Sequence, residues 1–162
     1  LYDTLINDLD TAEIVAVLAH EAGHSKYKHT LRNILINLPY TLLVFFLLGL
    51  ILRSDVLAQA LGGKEASFHL NILAFGVLYS PVSMMLGLAM NVLSRKHEYQ
   101  ADGYVKENKM GEQLISALKK ISSKSLSNLT PHPAYVFVNY SHPTLLQRVE
   151  KLTNSPVNQS TN

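Results

Sequence analysis

Two long stretches without a charged residue constrain this chain more than any other feature. Asn33 to Leu52 is 20 residues without Asp, Glu, Lys or Arg, bracketed by Arg32 and Arg53; Ala66 to Ser94 is 29 more, bracketed by Glu65 and Arg95. A helix crosses the hydrocarbon core of a bilayer in about 20 mostly apolar residues. The two stretches therefore predict membrane spans at 33–52 and 66–94, joined into a hairpin by the short polar turn Ser54–Glu65. The alternative is a pair of helices buried inside a soluble protein. The first stretch is most apolar at Leu42–Leu52 and weakest near Asn37 and Pro39. The second carries Asn71, Ser80, Ser83 and Asn91, so one of its faces is expected to line protein or water.

Outside these stretches the pattern is helical, and the expected class is all-α. Asp10-Thr11-Ala12-Glu13 has the spacing of a capping box and predicts a helix start. That helix is expected to run past His29 towards the first span. A second helix is expected to continue out of the second span through Arg95–Lys106 and stop near Asn108–Gly111. Leu114, Ile115, Leu118 and Ile121 make one apolar face of a shorter amphipathic helix. Ser122–Pro133 reads as a loop and Ala134–Tyr140 as extended at best. Pro143 suits the first turn of a final helix ending at Leu152. The organisation is thus one part over 1–152 and a polar, disordered tail over 153–162.

Composition narrows the chemistry. With 16% charged residues and a net charge of +2, the chain is neither a disordered acidic segment nor a nucleic-acid binder with a clustered basic face. It has no cysteine, which excludes disulfides, thiolate zinc modules and thiol catalysis, so a metal site must draw on the seven histidines and the carboxylates. The chain begins at Leu1 without a cleavable signal pattern, and the expectation is a piece of a longer protein.

His20-Glu21-Ala22-Gly23-His24 is an H-E-x-x-H run on a predicted helix. Residues four apart lie one turn apart on the same face, so both imidazoles reach one ion. Glu21, one step around, can touch a water there and act as the base. A catalytic zinc takes three protein ligands and one open position. The third ligand does not follow the metzincin pattern, because Tyr27 and Thr30 stand where Gly and His would be needed. His29, five residues past His24, is expected to point away from the ligand face. The residues leave His97, Glu98, Asp102, Glu107, His132 and His142 open. Glu98 and Asp102 share a helix face, and Asp102 is placed to accept the second N–H of a ligating imidazole.

These motifs, taken in order, resemble a known family. His20–His24, then Ser94-Arg95-Lys96-His97-Glu98-Tyr99-Gln100-Ala101-Asp102, then Tyr140-Ser141-His142-Pro143 and Arg148, are similar to the type 1 CAAX prenyl proteases, as is the opening Leu1-Tyr2-Asp3-Thr4-Leu5-Ile6. These are integral-membrane zinc metalloproteases that mature prenylated proteins such as yeast mating pheromone and prelamin. The resemblance implies one zinc ion held by His20, His24 and Glu98, with Glu21 as general base and Asp102 and Arg148 supporting them. His142, which the residues alone would make a capping or structural histidine, becomes on the resemblance a stabiliser of the transition state. Arg148 is expected to brace Asp102, with oxyanion stabilisation the alternative. His69, His97 and His132 are expected to be structural. Ser25 departs from the Trp that the family commonly has there.

The same resemblance implies cleavage near the carboxyl terminus of a prenylated CAAX-tailed protein or peptide. It also implies contact with membrane lipid, amino-terminal spans of the same protein completing a chamber, and a place in the endoplasmic reticulum or inner nuclear membrane. Two rivals remain: a heat-stress-type membrane quality-control protease, and a non-catalytic membrane adaptor stabilised by zinc. Lys26, Lys28 and Arg32 before the first span and Arg95 and Lys96 after the second predict that the zinc-bearing segments face the cytosol.

Overall fold

The computed structural model describes residues 8–154. The family-like opening Leu1–Ile6 and tail residues 155–162 lie outside the described residues. Helices α1 (Thr11–Lys26), α2 (His29–Ile51), α3 (Asp55–Ala60), α4 (Phe68–Glu107), α5 (Gly111–Lys124), α6 (Pro133–Asn139) and α7 (Leu145–Asn154) follow in order, with no strand among the described residues. The described chain divides into two compact units. One runs to His29 and resumes at Met90; the other is Thr30–Ala89.

Thr30–Ala89 contains the most apolar parts of α2 and α4, the two helices long and apolar enough to cross a membrane. None of the most apolar window of α2 is buried, and Leu35, Leu42, Phe45, Phe46, Val77 and Met85 are exposed. A core helix of a soluble protein would bury such a face, so the pair suits membrane spans and not the interior of a soluble domain. Within the unit the polar groups largely satisfy one another. Asn71 is fully buried, and its Nδ2 donates to the carbonyls of Leu52 and Ser54, each at 3.1 Å. It therefore ties down the turn between α2 and α3. The hydroxyls of Tyr40 and Tyr79 pair across the hairpin, and Ser83 donates to the carbonyl of Ser80 at 2.8 Å. The connecting turn, read as short and polar, holds α3, because Ser54 caps it by accepting from the Leu57 N–H at 3.3 Å.

The other unit carries the chemistry. Asp10 and Glu13 form a reciprocal capping box: the Glu13 N–H donates to Asp10 at 2.8 Å and the Asp10 N–H to Glu13 at 2.9 Å. The buried stripe of α1 is Glu13, Ala16, His20 and Gly23, one residue per turn. Ala16 joins Val105 of α4, Leu114 of α5 and Leu152 of α7 in a small aliphatic core, with α5 packed on both α1 and α7. Full burial of a side chain such as Leu114 contributes about 1.5–3 kcal/mol.

Three local expectations are corrected. First, α1 stops at Lys26 and does not run past His29. Tyr27 caps it, and Lys28 adopts a left-handed backbone (φ 54°) before α2 starts afresh at His29. Second, Ala134–Tyr140 is mostly helical, because Pro133 fits the first turn of α6 and His132 Nδ1 accepts from the Ala134 N–H at 3.3 Å. Third, Pro143 precedes α7. Its first turn is set by Thr144 and Gln147, whose side chains each accept from the other's N–H, at 3.3 and 3.0 Å. Helix α7 then runs to Asn154.

Glu13 also accepts from Ser116 Oγ and from Lys120 Nζ of α5, both at 2.6 Å. The Lys120 ammonium first, and then the Ser116 hydroxyl, hold its carboxyl at about 2, below the ordinary value of 4.5. The folded pKa lies below the unfolded one, so the stabilisation is complete above about pH 4.5 and is lost as the pH falls towards 2. Glu13→Gln is expected to melt below the parent at neutral pH and to converge with it near pH 2. Thermal midpoints against pH in detergent check this; a gap of constant size across that range would contradict it.

Candidate metal centre

Helix α1 approaches α4 closely at Gly23. A Cβ built there would stand 3.1 Å from the Cα of Ala101 and 3.2 Å from the Cβ of Tyr104. Ala101 lies between Glu98 and Asp102 on α4, so this near backbone-to-backbone contact brings both carboxylates beneath His20 and His24. The four acid and imidazole groups come from two helices that the sequence separates by more than seventy positions.

His20 Nε2 and His24 Nε2 lie 3.1 Å apart. Glu98 Oε2 is 3.5 Å from His20 Nε2, and Oε1 is 3.4 Å from His24 Nε2. These three residues form a group able to hold a metal ion. The separations have a simple meaning: ligand atoms at about 2.0–2.1 Å in a tetrahedron stand roughly 3.3–3.4 Å from one another. Two imidazoles and one carboxylate also leave a fourth position open. Glu21 is exposed beside this set, one residue along α1 from His20.

Buried charges around the triad are matched. Asp102, 1% exposed, accepts from His20 Nδ1 at 3.0 Å. Arg148 of α7 holds the same carboxylate in a two-pronged pair, Nε to Oδ2 at 2.8 Å and Nη2 to Oδ1 at 2.6 Å, while its Nη1 lies 3.5 Å from Glu98 Oε2. His142, largely exposed, puts Nδ1 3.2 Å from Glu98 Oε1. Its place follows from the end of α6. Asn91 Nδ2 donates to the carbonyl of Val138 at 2.7 Å, and Arg95 Nη1, one turn along α4, donates to that of Tyr140 at 2.5 Å. These two side chains fasten the segment that leads into His142.

The imidazoles differ electrostatically. Burial opposes a charge on His20, but hydrogen bonds to Asp102 and Glu98 outweigh it and raise its pKa to about 9. His24 is lowered, first by burial and then by the charge of His20. His142 is raised, chiefly by its hydrogen bond to Glu98.

Of the residues singled out from the sequence, His20, Glu21, His24, Glu98, Asp102, His142 and Arg148 all fall in this one unit. His29 lies outside the group of His20, His24 and Glu98, as expected, but it does not leave the site. The break at Lys28 turns it back, so that its Nδ1 sits 3.0 Å from His24 Nδ1 and it is buried. His97, read as structural, stacks on His29 with ring centroids 4.1 Å apart. His132 caps α6, and His69 belongs to the Thr30–Ala89 unit. Gly23 and Gln100 went unremarked in the sequence. Gly23, a residue without a side chain between two histidines on one face, was the readable signal of close packing.

Comparison with known proteins adds to this geometry. The profile described as Peptidase family M48 matches residues 1–155. The chain is 37% identical over 150 residues to the CAAX prenyl protease 1 homolog of Dictyostelium discoideum, covering 91% of this chain and 35% of that protein. It is 34% identical over 167 residues to CAAX prenyl protease 1 of Saccharomyces cerevisiae, covering 94% and 37%. The crystal structure of S. mikatae Ste24p superposes with a TM-score of 0.83 at 33% identity, covering 94% of this chain and 39% of that one. The chain thus spans about a third of the length of the curated relatives it matches.

The packing at Gly23 leads to a direct test. Gly23→Val is expected to destabilise the protein by about 1–3 kcal/mol, since the crowded neighbour is backbone and cannot swing aside. Gly23→Ala should cost less. Thermal unfolding of the detergent-solubilised protein checks this; a valine variant melting with the parent would contradict it.

Proposed function

This chain belongs to peptidase family M48, and we propose that it carries the zinc centre of a membrane endopeptidase that cleaves near the carboxyl terminus of prenylated CAAX proteins. The observation that carries the reading is the spacing of His20 Nε2, His24 Nε2 and the Glu98 carboxylate, 3.1 to 3.5 Å apart, which suits one tetrahedral ion. Two imidazoles with one carboxylate and no thiolate are a common catalytic zinc set. When bound, zinc supplies Lewis acidity: it polarises the scissile carbonyl and makes a water acidic enough to lose a proton near neutral pH.

The remaining work falls to this chain's own side chains. Glu21, exposed beside the ligands, takes the proton of the attacking water and delivers it to the leaving amine nitrogen. Asp102 accepts from His20 Nδ1 and so keeps the proton off the ligating Nε2. Arg148 braces Asp102 from both oxygens. His142, beside Glu98 and largely exposed, donates to the oxygen on which negative charge develops.

The substrate class rests on the relatives, whose names carry the CAAX prenyl protease activity. The partners of this reading are a prenylated CAAX-tailed protein or peptide, membrane lipid, and amino-terminal spans of the family's pattern that complete a chamber. The location is a membrane, for which we propose the endoplasmic reticulum and inner nuclear membranes. The zinc-bearing segments would face the cytosol, as Lys26, Lys28, Arg32, Arg95 and Lys96 favour.

Glu98→Ala is expected to lose zinc and activity together, measured by elemental analysis and by cleavage of a farnesylated CAAX peptide. Stoichiometric zinc in that variant would refute the ligand set. Glu21→Gln is expected to keep zinc and lose turnover by about 100- to 10,000-fold. An unlipidated peptide cleaved as fast as the farnesylated one would overturn the substrate class. For orientation, the sequons at Asn128, Asn139 and Asn158 should carry no glycan in the native membrane; a glycan on any of them, seen as an endoglycosidase-sensitive mobility shift, would invert the topology.

A further inference from the structure

We infer that His29, held in turn by Gln100, is the positioning residue that sets the tautomer and ring orientation of His24. The inference rests on the reading of His20, His24 and Glu98 as a metal site. An imidazole that binds a metal through one nitrogen must carry its proton on the other, and an acceptor there fixes which is which. For His20 that acceptor is Asp102. For His24 the group in that place is His29, with the two Nδ1 atoms 3.0 Å apart. The Nε2 of His24 faces His20 and its Nδ1 faces His29, so His29 stands on the far side of the ring from the metal group and is not a ligand.

A second imidazole can either give or take this proton, and the orientation of the Gln100 amide sets which. Its Oε1 lies 3.0 Å from His29 Nε2. A carbonyl oxygen only accepts, so neutral His29 keeps its proton on Nε2 and presents a lone pair at Nδ1. His24 must then hold its proton on Nδ1 and leave Nε2 free to ligate. With the amide nitrogen of Gln100 towards His29, every proton in the chain would reverse and His24 Nε2 would be blocked. Helix α4 thus supplies both the ligand Glu98 and, two residues later, the group that selects the ligating form of His24. The orientation of His29 is fixed as well: it is 2% exposed and stacks on His97 at 4.1 Å and on Tyr27 at 5.7 Å between centroids. The left-handed Lys28 brings His29 to this place.

The test is zinc affinity by chelator competition, with the visible spectrum of the cobalt(II) form, on the detergent-purified full chain. His29→Phe keeps a ring for stacking but no acceptor, whereas His29→Asn places a carbonyl oxygen near the former Nδ1. Gln100→Leu and Gln100→Glu make the same contrast one step further out. The Phe and Leu variants are expected to bind zinc about 10- to 100-fold more weakly with altered cobalt bands, and the Asn and Glu variants to stay within about threefold of the parent. Parental affinity in His29→Phe overturns the inference. So does equal loss in His29→Phe and His29→Asn, which would mark a purely structural residue. Should His29→Phe not fold, equal affinities in the two Gln100 variants overturn it. His20→Ala separates this from the site itself. If that variant keeps parental zinc affinity, the metal-site reading fails and the inference with it; if it loses zinc while His29→Phe retains it, only the inference fails.

Discussion

Everything in the metal centre depends on how closely α1 lies against α4 at Gly23 and Ala101. Helices separated by ordinary side chains pack with axes about 8–10 Å apart. At this point there is no side chain on one partner and only a methyl group on the other. The imidazoles of His20 and His24 can therefore meet a carboxylate that projects only a short way from α4. A longer residue at either position would push apart the two halves of the site, which share no local sequence.

That approach buries charge, and the rest of the unit is organised around it. Glu98 and Asp102 are nearly inaccessible, and an unpaired buried carboxylate costs several kcal/mol. Arg148 answers both, and His20 shares Asp102. Arg148 sits one turn before Leu152, so α7 is held by an ionic contact and an apolar one on the same face. Such a network adds little to stability compared with an apolar core of equal volume. It does hold the side chains of the candidate site in a single arrangement, which suits the proposed metal centre.

The Thr30–Ala89 unit answers a different solvent. Its exposed apolar side chains suit the hydrocarbon of a bilayer, and several of its polar groups pair within the protein, as a solvent that cannot hydrogen-bond requires. Asn71 spends its amide nitrogen on the carbonyls of Leu52 and Ser54 just after α2, and Tyr40 pairs with Tyr79. Polar residues suited to lining a cavity are thereby partly consumed in holding the hairpin together. Asn91 is consumed too, in fastening α6.

The features legible in the sequence were those with a local cause. The two spans follow from the absence of charge over a bilayer's thickness, and the start of α1 from a capping box whose members are three residues apart. The continuation of α4 beyond its span, and the shared face of His20 and His24, follow from helical periodicity. Even the T-x-x-Q cap of α7 was readable in principle. What the sequence could not set were the features that depend on distant partners. A left-handed Lys28 has no signature in a residue that ordinarily avoids that backbone, yet it reverses where His29 points. The helicity of Ala134–Tyr140 depends in part on Arg95 and Asn91, which bind its final carbonyls from more than forty residues away. Glu98 stands beside the two imidazoles, and Gln100 beside His29, only after α1 and α4 pack together. Periodicity fixes a residue's face on its own helix, but which face of which other helix it meets is decided by packing.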